Sequence, residues 1–357
     1  MKVVQMLTSL AYGDAIGNET MAIYRMLKEE GYDTFIYAEA IDERIRVLGI
    51  TGVIDENLSF SSDDIIFYHL STGCKWNLGV FEFGAKVIVI YHNITPPVFM
   101  GGPGCDPWYM VETGIRDLKQ IAPKVKYCIA VSGFNRDDLL ANGFDCDIKV
   151  IPLLIPFEDY KKKASEKILE KYSQIKSTKI LFTGRVASNK KIEDVIATFN
   201  EYRLKFDNDA LLFLVGKHFN DGYYLGLKKY AESLNSESII FTGHIDFDEI
   251  LVYYSVSDCF LCMSEHEGFC VPLVEAMYFD LPVIAYDSSA IKDTLGGAGF
   301  LLDNKNPLEA ACVVNRVIRD LQLRERIINN QRERLKAFRY DVIKGQILDY
   351  LRKVIEE

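Results

Sequence analysis

Short apolar runs alternate along this chain with longer stretches in which apolar positions recur every three or four residues. In the amino-terminal half the short runs are residues 3–8, 65–69, 86–91 and 127–131. Runs of this length that are apolar throughout predict strands buried on both faces, and the amphipathic stretches between them predict crossover helices. The alternation therefore predicts an α/β domain with a doubly wound parallel sheet.

The carboxyl-terminal half repeats this pattern. Strands are predicted at residues 179–183, 211–215, 238–242, 259–263 and 282–285. Residues 192–206 place their apolar side chains on one helical face. Because 357 residues exceed one ordinary core, we expect two Rossmann-like domains, 1–155 and 179–339, joined by a charged linker at 156–178. We expect the two domains to face each other across a cleft. In such sheets ligands bind beyond the carboxyl ends of the strands, so the loops after the strands are the candidate sites.

Composition narrows the classes of partner. The formal net charge of −10 argues against nucleic acid, because phosphate binding needs a basic field, and it weakens attraction to anionic lipid. No apolar run approaches the roughly 18 residues of a membrane span, and the first residues look like a buried strand rather than a signal peptide. The scattered cysteines are expected to be reduced. We therefore expect a cytoplasmic protein whose contact with the inner membrane face is at most transient.

A glycine and two cations follow the predicted strand 179–183. Gly184 ends that strand, and Arg185 and Lys190 lie five residues apart before the next helix. A guanidinium and an ammonium beside a helix N-terminus suit an anion such as a diphosphate. The alternative is ordinary solvated surface charge, and the motif alone leaves both open.

The stretch SEHEGFCVPLVEA, residues 264–276, follows the predicted strand 259–263. Gly268 allows a tight turn, and Pro272 is typical of a helix start, which would put Glu275 in the first turn. The amides of residues 269–271 would then point toward a ligand. Glu275 either interacts only with the helix dipole or accepts two hydrogen bonds from a ribose diol.

Taken together and in order, these segments resemble the retaining glycosyltransferases of family 4, which have the GT-B fold. The resemblance is close over residues 149–302 and rests on VIPLLIP, TGR with a lysine five residues on, FTGHI, the two glutamates with seven residues between them, and GAGFLLD. It extends more loosely over the amino-terminal half, where YHN and AVSGFNRDDLL occur in the expected order. It implies that a last helix, about 340–357, crosses back onto the first domain.

The resemblance implies a role for each matching residue. Arg185 and Lys190 would bind the donor diphosphate, Glu275 the ribose, and Glu267 the donor sugar near its anomeric carbon. The implied catalytic set is Glu267, Lys190, Arg185 and His92. The other implied donor contacts are Gly243, Ile245, Gly268, Phe269, Cys270, Val271, Gly13 and Gly17.

The loop after the first strand departs from the family pattern. The family usually has a glycine pair where this chain has residues 13–18, GDAIGN, so the loop binds either phosphate or the acceptor. On the acceptor side the candidates are Asp14, Asn18, His69 and Trp108. The alternative for His92 is a neutral histidine at a strand end, and for Trp108 it is ordinary packing.

The function implied by the resemblance is sugar transfer with retention of configuration. The donor would be GDP-mannose or a UDP-sugar, and the acceptor a hydroxyl of a carbohydrate, a lipid-linked glycan or a small molecule, in bacterial surface-glycan or glycoconjugate synthesis. No metal or other cofactor is expected, and the oligomeric state is left open. The alternatives are a GT-B nucleotide-sugar epimerase and a non-catalytic nucleotide-sugar-binding module. A dehydrogenase is disfavoured because the first predicted strand is not followed by GxGxxG.

Overall fold

The structure is a computed structural model that describes residues 1–218, 220–234 and 237–357. These residues form two compact units. The first unit comprises Met1–Pro156 and Phe338–Glu357, and the second comprises Phe157–Ala337. Each unit contains a parallel sheet of its own, as the alternation of strands and helices predicts.

The first unit contains seven parallel strands within its described residues. They are β1 (Val3–Leu10), β2 (Ile36–Ile41), β3 (Thr51–Val53), β4 (Ile65–Leu70), β5 (Lys86–Tyr91), β6 (Tyr127–Ala130) and β7 (Asp147–Val150). Their order across the sheet is β3-β2-β1-β4-β5-β6-β7, so the direction of winding reverses between β1 and β4. Ligands of open α/β sheets bind at such a reversal, beyond the carboxyl ends of the strands.

Helices cover this sheet. They are α1 (Ala15–Glu29), α2 (Glu43–Arg46), α3 (Trp76–Gly79), α4 (Asp106–Ile121) and α5 (Gly133–Ala141). Helix α1 begins where the Asp14 carboxylate accepts a hydrogen bond from the Ile16 amide at 3.3 Å, a normal N-cap. Its apolar face, including Ile23 and Met26, is fully buried.

The second unit contains six parallel strands within its described residues. They are β8 (Lys179–Thr183), β9 (Leu211–Val215), β10 (Ile239–Gly243), β11 (Cys259–Cys262), β12 (Val283–Tyr286) and β13 (Phe300–Leu302). Their order is β10-β9-β8-β11-β12-β13, which reverses between β8 and β11. Strands β8 and β11 are therefore neighbours, although about 75 residues of chain separate them.

Helices also cover the second sheet. They are α6 (Glu166–Ser173), α7 (Ile192–Lys205), α8 (Asp221–Ser233), α9 (Phe247–Val256), α10 (Val271–Tyr278), α11 (Ile291–Leu295), α12 (Pro307–Arg319) and α13 (Leu321–Leu335). The helical face predicted at 192–206 forms α7, and its residues Ile192, Val195, Ile196, Phe199 and Tyr202 are all fully buried.

The stretch 156–178, expected to link the domains, belongs from Phe157 onward to the second unit. Its helix α6 contributes Tyr172, whose ring lies 4.8 Å from the ring of Phe213 and 5.7 Å from that of Tyr253. Charged side chains occupy the outer face of α6, so its composition resembles a linker although one face is packed.

The last helix, α14 (Tyr340–Glu356), belongs to the first unit. The Tyr350 hydroxyl accepts a hydrogen bond from the Cys128 amide at 2.9 Å and donates to the Asp147 carbonyl at 3.1 Å. Lys86 donates to the Val354 carbonyl at 3.0 Å. These bonds join α14 to β5, β6 and β7. Among the described helices, none combines the length and the apolar character that crossing a membrane requires.

Candidate functional site

In the second unit Arg185, Lys190 and Glu267 lie on two loops that begin side by side. The loop after β8 contains Arg185 and Lys190, and the loop after β11 contains Glu267. Because β8 and β11 are neighbours at the reversal of the sheet, their loops leave the same edge. The sheet order thus brings together two motifs that are distant in sequence.

Lys190 and Glu267 form a buried ion pair. The Lys190 Nζ lies 2.6 Å from Glu267 Oε2, and the side chains are only 13% and 7% exposed. Two further bonds join the loops: the Glu265 amide donates to the Asn189 carbonyl at 2.8 Å, and the Asn189 side chain donates to the His266 carbonyl at 2.9 Å. The ion pair is therefore fixed from both sides.

A third loop, after β12, supports Glu267. The Glu267 amide donates to the Ser289 hydroxyl at 2.8 Å, and the Ser288 hydroxyl donates to the Ser264 carbonyl at 2.5 Å. Ser289 has a φ of 44°, a conformation that costs a non-glycine residue energy. This strained residue holds the backbone of Glu267, which is consistent with a functional position.

Glu275 lies in the second turn of α10, not in the first turn as the sequence indicated. The helix begins at Val271, and no acidic residue lies in its first turn. The interpretation of Glu275 as a helix-dipole partner is therefore wrong, since that effect falls off within one turn. Instead, Glu275 accepts hydrogen bonds from the hydroxyl of Tyr160 at 2.7 Å and from that of Tyr254 at 2.6 Å.

The turn between Glu267 and α10 is unusual at Cys270. This buried residue has a φ of 73° and lies directly before the first residue of the helix. Its neighbour Phe269 is also buried, and the Phe269 carbonyl accepts a hydrogen bond from the Thr294 hydroxyl. Gly268 and Val271 are half-buried on either side.

The remaining predicted donor residues of this unit end other strands or follow them. Arg185 is exposed and follows Gly184, which has a φ of 139°. Gly243 ends β10 with a φ of 68°, and Ile245, half-buried, packs against the core beside it. These residues lie at or just after the carboxyl ends of β8 and β10, where the sequence predicted them.

In the first unit the glycine loop follows β1. Gly13 has a φ of 77°, which allows the turn into α1. A Cβ at Gly17 would lie 2.3 Å from the Ala11 carbonyl oxygen, so only glycine fits there without movement. Asp14 serves as the helix cap and Asn18 is exposed on the first turn.

His69 and His92 form part of a buried chain of hydrogen bonds. The Gln5 side-chain nitrogen donates to the Thr20 carbonyl at 2.9 Å, so the Gln5 amide oxygen faces His69 Nε2 at 3.1 Å. His69 Nε2 must then carry a proton, and His69 Nδ1 accepts from His92 Nε2 at 2.9 Å. The chain fixes both tautomers and leaves His92 Nδ1 without a proton.

Glu19 of α1 lies beside these histidines. Its Oε2 is 3.6 Å from His92 Nε2 and has no hydrogen-bond partner, whereas Oε1 accepts from the Leu154 amide at 3.3 Å. Burial raises the pKa of Glu19 to about 8, lowers that of His69 to about 3, and lowers the pKa of His92 well below its usual range. At neutral pH all three groups are therefore uncharged. His92 lies directly after the last residue of β5, and its role near the donor sugar stays a prediction.

Trp108 lies in α4, near its start, and is half-buried. Its ring contacts the ring of Tyr109 edge-on at 5.2 Å. Tyr109 and Met110, which follow it, are exposed, at 55% and 41%. An aromatic surface is therefore present at the predicted position, and the role of Trp108 in binding a sugar stays a prediction.

Two clusters bring potential metal ligands together. Glu19, His69 and His92 form one, and Cys262, Glu267 and Cys270 form the other; within each, the three ligand atoms lie within 4.8 Å of one another. In the first cluster the facing ring nitrogens are hydrogen-bonded to each other, and in the second Glu267 is paired with Lys190. In the first cluster Glu19 Oε2 has no hydrogen-bond partner, so that cluster is only partly satisfied by its own bonds. The expectation of a metal-independent site stays a prediction.

The comparisons with known proteins agree with this geometry. Residues 165–334, a little less than half of the chain, match the model of a family described as "Glycosyl transferases group 1". The chain is similar to group 1 glycosyl transferases. The matched region contains both loops that form the Lys190–Glu267 pair, together with α10.

Two curated relatives are named as glycosyltransferases. Methanocaldococcus jannaschii MJ1069, described as an uncharacterized glycosyltransferase, is 26% identical over 212 residues, which are 58% of this chain and 53% of that protein. The O-antigen chain mannosyltransferase B of Escherichia coli is 20% identical over 255 residues, 66% of this chain and 61% of that protein. The matches thus span between half and two thirds of the length of these relatives.

A solved structure shows the fold. Anabaena Alr3699/HepE, crystallised in complex with UDP, superposes with a TM-score of 0.78 over 99% of this chain and 100% of that chain, at 19% identity. The architecture is therefore GT-B, with two Rossmann-like parallel-sheet domains, as the sequence predicted.

The sequence did not identify Gln5, Glu19, Tyr160 and Tyr254. The sequence pattern contained a signal for two of them. Gln5 interrupts an apolar strand, and Glu19 falls on the buried face of α1, three or four residues before Ala22 and Ile23. Their burial could have been inferred from these positions. The contacts of the two tyrosines depend on packing between elements, which no local pattern contains.

Proposed function

We propose that this chain is a retaining, metal-independent glycosyltransferase that uses a nucleotide-diphosphate sugar as donor. The observation that carries the proposal is the buried Lys190–Glu267 ion pair at the carboxyl edge of β8 and β11, inside the region that matches the family model. An ammonium held against a carboxylate offers a cation to a phosphate and an acceptor to sugar hydroxyls. Those are the two groups that adjoin at the reacting bond of such a donor.

On the basis of this ion pair and the family resemblance, each predicted site residue of the second unit takes a proposed role. Arg185 and Lys190 bind the diphosphate, Glu267 accepts hydrogen bonds from the donor sugar, and Glu275 accepts them from the ribose. Main-chain groups near Gly243 and Ile245 contact the base. The amides of residues 269–271 bind the sugar and the distal phosphate.

The proposed catalysis is mainly electrostatic. As the bond between the anomeric carbon and the phosphate oxygen breaks, negative charge grows on the leaving diphosphate. Lys190 and Arg185 stabilise that charge, whereas Glu267 is close to the positive charge that develops on the sugar. The acceptor oxygen bonds to the anomeric carbon on the face that the phosphate leaves, and its proton passes to a phosphate oxygen.

Retention by a covalent route would need a free carboxylate nucleophile. In retaining glycosidases two carboxyl groups lie about 5 Å apart and one of them attacks the sugar. Glu267 is engaged by Lys190, and both oxygens of Glu275 are engaged by tyrosines. These contacts favour attack by the acceptor on the same face over a covalent intermediate.

For the first unit we propose contacts with the donor sugar and with the acceptor. The unprotonated Nδ1 of His92 would accept a hydrogen bond from a hydroxyl of the donor sugar, because Nε2 is used by His69. Asp14, Asn18 and Trp108 would contact the acceptor. Gly13 and Gly17 would allow a phosphate or the acceptor to approach the backbone closely.

UDP-sugars and GDP-mannose are the proposed donors. The UDP in the Anabaena HepE structure supports a uridine nucleotide, and the mannosyltransferase named among the relatives supports a mannosyl donor. The O-antigen named with that relative supports a role in surface-glycan synthesis.

The test is transfer from UDP-glucose and from GDP-mannose to a set of alkyl glycosides, with nucleotide release and product configuration both followed. We expect an α-linked product from the α-linked donor, unchanged rates with a chelator, and strong loss in Glu267→Gln but not in Glu265→Gln. A β-linked product would contradict retention, and chelator sensitivity would contradict metal independence. Donor binding without transfer would favour the non-catalytic module, and epimerised sugar would favour the epimerase.

A further inference from the structure

Both oxygens of the Glu275 carboxylate are held by tyrosine hydroxyls. Tyr160 donates to Oε1 at 2.7 Å, and Tyr254 donates to Oε2 at 2.6 Å. A carboxylate offers about four lone-pair sites, two on each oxygen. One site on each oxygen therefore stays available, which matches the two hydroxyls of a vicinal diol.

The direction of the bonds around Tyr254 follows from the carboxylate. Because an ionised carboxylate only accepts hydrogen bonds, the Tyr254 proton points to Glu275. The Thr183 hydroxyl lies 2.5 Å from the Tyr254 oxygen and must then donate to it. Thr183 is the last residue of β8, directly before Gly184 and Arg185. The chain of bonds thus joins the predicted ribose-binding carboxylate to the strand that precedes the predicted diphosphate loop.

The two tyrosines differ in burial, but aromatic rings contact both. Tyr254 is only 1% exposed, and its ring stacks on Phe279 at 5.2 Å. Tyr160 is half-buried on the short turn Phe157–Lys161 and contacts Phe247 and Tyr278, with ring centres 5.2 and 5.5 Å away. Both hydroxyls are placed by aromatic packing rather than by the carboxylate alone.

Burial around Glu275 makes these donors necessary. Burial raises the pKa of Glu275, and the hydrogen bonds from Tyr254 and Tyr160 oppose that rise. Burial also raises the pKa of both tyrosines well above the usual range, so their hydroxyls remain donors at neutral pH. Besides burial and Glu275, the neighbouring side chains of Asp159 and Tyr278 also raise the pKa of Tyr160.

We propose that Tyr160 and Tyr254 are positioning residues for Glu275, which orient its carboxylate so that the remaining lone pair of each oxygen accepts one hydroxyl of a ribose diol. The inference rests on the proposed function, since it assumes that Glu275 binds the nucleotide ribose. It goes further in assigning ribose selectivity to two side chains outside the glutamate motif.

The test compares ribose with dideoxyribose. Dissociation constants of UDP and GDP, and of their 2′,3′-dideoxy forms, are measured by calorimetry for the wild type, Tyr160→Phe and Tyr254→Phe. The control is Tyr230→Phe, at a half-buried tyrosine of α8. Losing one oriented hydrogen bond corresponds to roughly a three- to ten-fold weaker affinity. We expect such a loss for the ribonucleotide in both test variants, a smaller one for the dideoxynucleotide, and no change in the control.

The pH profile separates positioning from a merely structural effect. Removing either tyrosine hydroxyl removes a bond that lowers the pKa of Glu275, so the carboxylate protonates at higher pH. A protonated carboxyl accepts fewer hydrogen bonds, and ribonucleotide binding should fall off at higher pH in Tyr160→Phe and Tyr254→Phe than in the wild type. The profile of the control Tyr230→Phe should coincide with that of the wild type.

Each outcome decides the matter. If the wild type prefers ribose and both phenylalanine variants keep the wild-type preference and pH profile, the positioning role is overturned and the proposed function stands. If the wild type binds ribose and dideoxyribose equally, Glu275 does not bind the diol, and that part of the proposed function fails together with this inference. Tyr160→Phe keeps the test valid if the more buried Tyr254→Phe does not fold.

Discussion

Lys190 is proposed to stabilise the leaving diphosphate more strongly in the transition state than in the bound donor. Lys190→Ala should lower kcat by about 10²–10³-fold, because charge on the leaving phosphate grows only as the bond breaks. Donor affinity should fall much less. Steady-state kinetics together with a direct donor Kd would separate the two effects.

Lys305 offers the control for that variant. It forms ion pairs of 2.9 Å with Asp194 and with Glu265, which lies in the same loop as Glu267. Lys305→Ala should leave kcat within a few-fold of the wild type. A Lys190→Ala enzyme with unchanged kcat and a weaker donor Kd would mean that Lys190 serves binding only.

Glu19 should make the first unit less stable as pH rises. Its pKa of about 8 in the folded state lies above the value near 4.5 expected when unfolded. Between those values the folded chain holds a proton that the unfolded chain has released, so the free energy of unfolding falls with rising pH. Glu19→Gln removes this dependence and should raise Tm by several degrees at pH 8 and little at pH 5.

Tryptophan fluorescence reports unfolding of the first unit, because both tryptophans, Trp76 and Trp108, lie in it. The exposed Glu112, changed to Gln, is the control and should leave the pH dependence as it is. If Glu19→Gln follows the wild-type curve from pH 5 to pH 8, Glu19 is ionised in the folded protein.

At the scale of elements, helix α1 packs closely against the loop that precedes it, where Gly17 approaches the Ala11 carbonyl. Gly17→Ala would place a Cβ 2.3 Å from the Ala11 oxygen and force the helix outward, at a cost of roughly 1–3 kcal/mol. Gly345 of α14 has open space around its Cβ position, so Gly345→Ala should stabilise by about 0.4–1 kcal/mol. Denaturant unfolding followed by tryptophan fluorescence compares the two.

A Gly17→Ala variant as stable as the wild type would show that α1 moves freely. In that case the loop after β1 would not hold Asp14 and Asn18 in place for an acceptor. Loss of stability in Gly17→Ala beside a gain in Gly345→Ala would instead support a loop of fixed geometry.

Elements were predictable where a local pattern decides them. Strand β8 and helix α7 lie within a residue of the predicted ranges, since a buried apolar run and one apolar helical face leave few alternatives. The exact start of a helix was less predictable. Pro272 was used as the marker of the start of α10, but the helix begins at Val271 and Glu275 lies beyond its first turn.

At the scale of the whole molecule, the sheet order explains both what was predicted and what was missed. Strands with helical crossovers imply a parallel sheet whose loops gather at one edge, which is why Lys190 and Glu267 could be named together. The Tyr160–Glu275 contact joins residues 115 positions apart through an aromatic cluster. The histidine chain likewise depends on Gln5 of β1 and Glu19 of α1, whose side chains both face inward. How these two elements pack together decides that contact, and no local pattern contains it.

The most direct test of the central claim is a thermal-shift series with UDP-glucose, UDP-galactose, UDP-N-acetylglucosamine, GDP-mannose and ADP-glucose, beside the free nucleotides. A ligand at a hundred times its Kd adds about 2.7 kcal/mol, which raises Tm by several degrees. We predict a shift with donors of one base, lost in Glu275→Ala and kept in the control Glu232→Ala. No shift with any donor, or an equal shift in Glu275→Ala, would contradict a nucleotide-sugar site at this carboxylate.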